Sequence, residues 1–227
     1  MSQTNSANFR KKIISFAWTW VGLLIFIGIM SLFSIWSINR AYVDEATKAF
    51  SISQLENEVL EAKIDFKTQV QEWKNVLLRG KNSEDKTKYF SSFEAEETKV
   101  VSHLKKAQKN CLALYKKELC QTIEEARLKH LELGIIYKET LNKGSLENYE
   151  GIHAIDQRLR GIDRTLDNDM DTLFQNFSHM EKNQLSSGKQ SIENRYHVLK
   201  KFILGIMLAA LSLSGISLYS ILRSTKN

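Results

Sequence analysis

The stretch IISFAWTWVGLLIFIGIMSLFSIWSI, Ile13–Ile38, holds no charged residue. It is long enough to cross a bilayer, since about 20 apolar residues at helical rise span the hydrocarbon core. A second such stretch, FILGIMLAALSLSGISLYSIL, occupies Phe202–Leu222. The chain reads as a short tail (1–12), a first transmembrane helix (13–38), a polar middle domain (39–201), a second transmembrane helix (202–222) and a short tail (223–227). This order is receptor-like and argues against a soluble enzyme. Arg10, Lys11 and Lys12 precede the first stretch as they would in a signal peptide. The apolar run exceeds the ~7–15 residues of a signal-peptide core, and no small-x-small cleavage pattern follows Trp36, so it reads as a retained anchor.

The net charge of +6 is placed where it matters little for nucleic acid. All 26 acidic residues lie between Asp44 and Glu193, and the tails hold Arg10, Lys11, Lys12, Arg223 and Lys226. The middle domain is left close to neutral, so no nucleic-acid partner is expected. Basic tails on both ends suggest that both lie in the cytoplasm. Arg40, Arg195, Lys200 and Lys201 flank the same spans from the other side, which nearly balances the count. Long domains are exported largely regardless of charge, so the middle domain is expected outside, in the periplasm of a bacterial inner-membrane protein.

No proline and only ten glycines occur. Without the main helix breaker, and with abundant Lys, Glu, Leu and Gln, long uninterrupted helices are expected. The first soluble helix is predicted to continue from the membrane span to Arg79. Ile52, Val59, Phe66 and Trp73 recur at heptad spacing, and Leu55, Ala62 and Val76 fill the offset of three, with Gln69 the polar exception. That seam marks helices packing at shallow angles. Gly80 supplies a stop and Lys81–Asp85 a turn and cap. A second helix from about Ser83 carries Phe93, Val100, Leu104, Ala107, Cys111 and Leu114. A third carries Leu119, Ile123, Ala126, His130, Leu133 and Tyr137, and ends at Asn142-Lys143-Gly144-Ser145. The last uses Leu166, Met170, Leu173, Phe177 and Met180, after which its seam turns polar at Gln184, Ser187, Ser191 and Asn194.

The fold class is therefore all-α, an antiparallel four-helix bundle between two transmembrane helices. Residues 39–79 and 161–201 each make about 60 Å of helix at 1.5 Å per residue, so both membrane-rooted helices would reach the same height. The polar seam then falls in a membrane-proximal stalk, either as a looser packing surface or as a solvated face.

Cys111 and Cys120 are nine apart. On one helix they would stand about 13 Å apart, beyond disulfide reach, whereas around a turn near Tyr115–Glu118 they would meet. A disulfide stapling that turn is expected, the alternatives being a buried thiol at Cys111 and an exposed one at Cys120. The spacing fits neither a haem nor a common zinc pattern, so no metal and no cofactor is expected. His130 on the third seam is either a pH-responsive group or a hydrogen-bonded core histidine. No nucleophile–base grouping appears, and no catalytic residue is assigned. Gly205-x-x-x-Ala209 permits close approach of membrane helices, as in a homodimer.

Three segments carry a family resemblance. Val70-Gln71-Glu72-Trp73-Lys74-Asn75-Val76-Leu77-Leu78-Arg79-Gly80 resembles the end of the first periplasmic helix of methyl-accepting chemotaxis proteins. Leu159-Arg160-Gly161-Ile162-Asp163-Arg164 resembles the opening of their last periplasmic helix, and His130–Tyr137 is similar to their third. The resemblance implies a domain that senses a small molecule or a periplasmic binding protein and passes a small helix displacement across the membrane. Such receptors continue into a HAMP relay and an output domain, whereas this chain stops at Asn227. It is expected to be either a truncated receptor or a stand-alone sensor whose signalling partner is another chain. The second class of reading is a structural or scaffolding membrane protein, or a coiled-coil adaptor, whose bundle binds protein.

Two Leu-Arg-Gly triplets, Leu78–Gly80 and Leu159–Gly161, fall at the membrane-distal end. Arg79 and Arg160, with Trp73 below them and Arg164 opening the last helix, are the candidate residues for a small anionic ligand, because paired guanidinium groups hold carboxylate or phosphate bidentately. The plainer alternative makes the arginines and glycines helix caps, and Asp163 and Arg164 a helix-start charge and a surface ion pair.

Overall fold

A computed structural model describes residues 2–115 and 117–226, with side chains described at 10–11, 13–115, 120–220 and 223. The seam position Leu119, the turn residues Lys116–Glu118 and the tail cations Lys12 and Lys226 lie outside the described side chains. The described residues form helices joined by short turns: α1 (Ser2–Arg79), α2 (Ser83–Leu114), α3 (Lys117–Lys143), α4 (Tyr149–Leu159) and α5 (Arg164–Lys226). The described residues are all-helical apart from the turns, as the composition implies.

Among the described residues two helices are long and apolar enough to cross a membrane, Ile13–Arg79 and Arg164–Ser220. The chain divides into two compact units, one of Met1–Ala46 with Leu185–Asn227, the other Thr47–Gln184. Residues 39–46 and 185–201, expected within the middle domain, group with the apolar spans.

In the second unit the heptad seam is the core. Ile52, Leu55, Val59, Ala62, Phe66, Gln69, Trp73 and Val76 of α1 are all buried. They meet Phe93, Val100, Leu104, Ala107 and Cys111 of α2, Ile123, Ala126, Leu133 and Tyr137 of α3, and Leu166, Met170, Leu173 and Phe177 of α5. Leu114, expected on the seam, is exposed at the last residue of α2. α2 runs back along α1, since Trp73 meets Phe93 while Glu58 meets His103. α3 reverses along α2, with Lys138 on Glu97 and Cys120 bonded to Cys111. α5 opposes α1 through Lys67–Asp167 and Lys63–Asp171.

The turns follow local chemistry. Asn82 caps α2, its side-chain oxygen accepting the Glu84 N–H at 3.0 Å, and Glu84 and Asp85 complement the helix dipole. Asn148 caps α4 in the same way through the Gly151 N–H at 2.8 Å. Gly80 closes α1 by donating to the Val76 carbonyl, and a Cβ there would stand 2.3 Å from that oxygen. Gly161, between α4 and α5, has φ +79°, a conformation open to glycine at no steric cost.

In the first unit, α1 and α5 meet along small residues of α5. Ala210, Ser214 and Ser217 face Phe16, Trp20 and Leu23. Gly188 is buried against Glu45, a Cβ there falling 3.4 Å from that side chain. Gly205 has no neighbour within 4 Å of a built Cβ, so the Gly205–Ala209 pair is not the contact between the two spans of this chain.

Candidate functional site

At the α1–α2 end of the Thr47–Gln184 unit, the last turns of α1 face the α4–α5 junction. Trp73 is on the seam because the heptad places it there, and its ring packs 4.8 Å from Tyr137 and 5.9 Å from Phe93. Two of this aromatic trio, Trp73 and Tyr137, reach the site's floor. Leu159 ends α4 with its side chain buried, which leaves Arg160 and Gly161 in the turn, and the left-handed glycine swings the chain so that Arg164 opens α5 beside them. A Cβ at Gly161 would lie 3.3 Å from Arg164 Nε, so the guanidinium stem crosses directly over the glycine.

The result is a pocket of about 220 Å³. Trp73 and Tyr137 form its floor, and Lys74, Arg160 and Arg164 supply cations against the carboxylates of Asp156 and Asp163. Three cations face two carboxylates, so the pocket carries one excess positive charge. Arg160 is exposed and donates to Asp156 Oδ2 at 2.5 Å. An arriving anion would compete with Asp156 for that guanidinium, and the i, i+4 pair it displaces is exposed and weakly held. Burial, and then the nearby Asp163 carboxylate, push the Tyr137 hydroxyl well above its ordinary range. It stays protonated, a neutral donor rather than a competing anion.

The structure therefore brings together three of the four candidate ligand residues, Trp73, Arg160 and Arg164. It does not bring in Arg79, which turns toward α2, donates to the Tyr89 hydroxyl at 2.6 Å and lies 5.4 Å over that ring. That hydrogen bond holds its guanidinium firmly in the charged form. The residues sequence reasoning missed are Lys74 and Asp156. Lys74 adjoins Trp73 in the sequence, and Asp156 stands four before Arg160 on a helix, so both were accessible from spacing once α4 is recognised.

Cys111 and Cys120 are joined, with Cα atoms 5.7 Å apart across the α2–α3 turn. Below the aromatic trio, His130 is buried and donates from Nε2 to Gln69 Oε1 at 2.7 Å, while its Nδ1 has no partner. Burial, and secondarily Lys138, lower its pKa to about 4. On the α1–α2 face, His103 lies between Glu58 at 2.7 Å and Asp65 at 3.5 Å. Among the described residues no group of three or more His, Cys, Asp or Glu is placed to hold a metal ion.

Over 113 residues the chain is 41% identical to the methyl-accepting chemotaxis protein CtpH of Pseudomonas aeruginosa, a match covering 50% of this chain and 19% of that relative. The chain is thus a partial homologue of a methyl-accepting chemotaxis protein, and it spans less than a fifth of that protein's length in the match. No protein-family model matches. No solved structure matches.

Proposed function

We propose that this chain is a membrane-anchored sensory module of the chemoreceptor type. Its middle region is an antiparallel four-helix bundle held between two transmembrane helices in the bacterial inner membrane, and it faces the periplasm. It binds a small anionic ligand and is not an enzyme. The observation that carries this reading is the composition of the pocket walls. Lys74 and Trp73 come from α1 and Arg164 from α5, and these are the two helices that also hold the apolar spans. An anion bridging Lys74, Arg160 and Arg164 ties the first helix to the last. Any change in their relative height or tilt is then available to the far side of the membrane through continuous helix. The partial homology to a chemotaxis protein supports the same role. Output passes to a signalling partner, and the open Gly205–Ala209 face suits a second copy in a homodimer.

The test is a thermal-shift screen of the detergent-solubilised chain against mono- and dicarboxylates and inorganic oxyanions. One class should stabilise it, by about 2.7 kcal/mol at a hundredfold excess over Kd. Arg160→Ala, Arg164→Ala and Trp73→Ala should each remove that stabilisation with helical content unchanged, whereas Arg79→Ala should keep it. A stabilising anion whose effect survives both Arg160→Ala and Arg164→Ala would place binding elsewhere. The scaffolding reading draws on Leu128, Ile135 and Ile136, which α3 exposes. Under that reading no anion stabilises the chain.

A further inference from the structure

A crevice in the unit of Met1–Ala46 and Leu185–Asn227 lies between α1 and α5, where both helices leave their apolar stretches. It measures about 490 Å³, within the ~300–1,000 Å³ range of small-molecule sites. Met30, Phe33 and Ile38 line it from α1, and Val198, Leu199 and Phe202 from α5. Its polarity is graded along the helices. Asn194 and Arg195 stand at one end, two turns from Phe202. The Ser34 hydroxyl, midway, donates to the Met30 carbonyl at 2.7 Å, so its polarity is spent on its own helix and the wall there is effectively apolar. Phe33, Val198 and Phe202 are all largely exposed, so the crevice opens outward.

We propose that this crevice holds one anionic phospholipid, with an acyl chain between Phe33 and Phe202 and the phosphate on Arg195. The crevice straddles the C-terminal end of Ile13–Ile38 and the N-terminal end of Phe202–Leu222, the level at which hydrocarbon gives way to headgroups. Trp36 with the Arg40 guanidinium 5.5 Å above its ring marks the same level, as interfacial aromatic and cationic anchors do. Water in an apolar slot open to lipid gains no hydrogen bonds, and a hydrocarbon chain fills the slot without that cost. The charge selects the headgroup. Arg195 is exposed, lines the crevice, and has no carboxylate paired with it among the described residues. A guanidinium presents a planar fork that matches phosphate oxygens. This site rests on the membrane-anchored part of the function proposed above and is independent of the anion pocket.

The test is native mass spectrometry of the full chain released from nanodiscs of phosphatidylcholine containing phosphatidylglycerol. One phosphatidylglycerol per chain should be retained, enriched about fivefold over its bulk share, as one basic residue near a membrane surface provides. Arg195→Gln should abolish the enrichment while a lipid is still retained. Val198→Trp, which fills the slot from an exposed position, should remove the retained lipid, with circular dichroism confirming unchanged helix. Lys201→Gln, outside the crevice, should leave retention as it is. Equal retention of both headgroups by the unmodified chain, or full enrichment in both Arg195→Gln and Val198→Trp, would overturn the site. Efficient Leu199→Cys cross-linking between two copies with no lipid retained would also overturn it, by assigning the slot to a second chain. Failure of the chain to enter nanodiscs would overturn the membrane reading together with the site.

Discussion

His130 stands on a seam otherwise built of apolar residues, and its surroundings determine which proton state the fold accepts. Nε2 donates to the Gln69 amide oxygen, the Phe66 ring lies edge-on at 5.8 Å, and Nδ1 faces no acceptor. A second proton would be buried without a partner, which is why the group is held down to about 4. As pH falls below the ordinary histidine value near 6.5, the unfolded chain takes up a proton that the folded chain refuses until about pH 4. Stability is therefore greatest above that range and falls on acidification through it, by about 3 kcal/mol from this group. Gln69→Leu with His130→Leu replaces the pair by apolar side chains and should flatten the drop in melting temperature between pH 7 and 4.5. An unchanged drop would show that carboxylates elsewhere carry it. His130→Leu alone strands the buried Gln69 amide and should cost about 1–3 kcal/mol at pH 7. The arginines show the limit of spacing as a guide. Arg160 and Arg164 were recoverable because Gly161 lies between them in the sequence and fixes the turn. Arg79 was not, because its partner Tyr89 lies across a turn whose direction no heptad count contains.

Among the elements, the long helices were legible and the short one was not. Heptads in α1, α2, α3 and the first turns of α5 register the core because each apolar side chain recurs on one face for many turns. α4 has eleven residues, too few for a seam to stand out, and its Asn148 cap follows a Gly-Ser turn that reads as the end of helical structure. Yet Ile155 and Leu159 are buried, Ile152 packs against the core, and the helix delivers Arg160 and Asp156 to the pocket. Ile155→Ala should cost about 2–5 kcal/mol through the cavity it leaves, a loss that urea denaturation would measure. At the junction itself, Gly161→Ala forces a side chain into the left-handed region and should cost about 1–2 kcal/mol. If the pocket depends on that turn, the same change weakens anion stabilisation without touching a ligand residue. At the other end of the unit, the Cys111–Cys120 bond staples the α2–α3 turn. Closing so short a loop limits its effect on the unfolded chain to about 2–3 kcal/mol. Reductant, or alanine at both cysteines, should lower the melting temperature by that equivalent with little loss of helix. Non-reducing peptide mapping that found both thiols free to alkylate would remove the staple from the account.

For the whole molecule, α1 and α5 are the only described helices with membrane-spanning character, and both continue into the unit that contains the pocket. Under the proposed function, a ligand held by Lys74, Arg160 and Arg164 would act on the two helices that also hold the apolar spans. Charge near the spans leaves the sidedness nearly balanced. Protease added to intact spheroplasts, with epitope tags at both termini, reads it directly. A periplasmic bundle gives cleavage within residues 39–201 while both tagged ends remain protected. Protection of 39–201 until the membrane is lysed would place the bundle in the cytoplasm and contradict a periplasmic sensor.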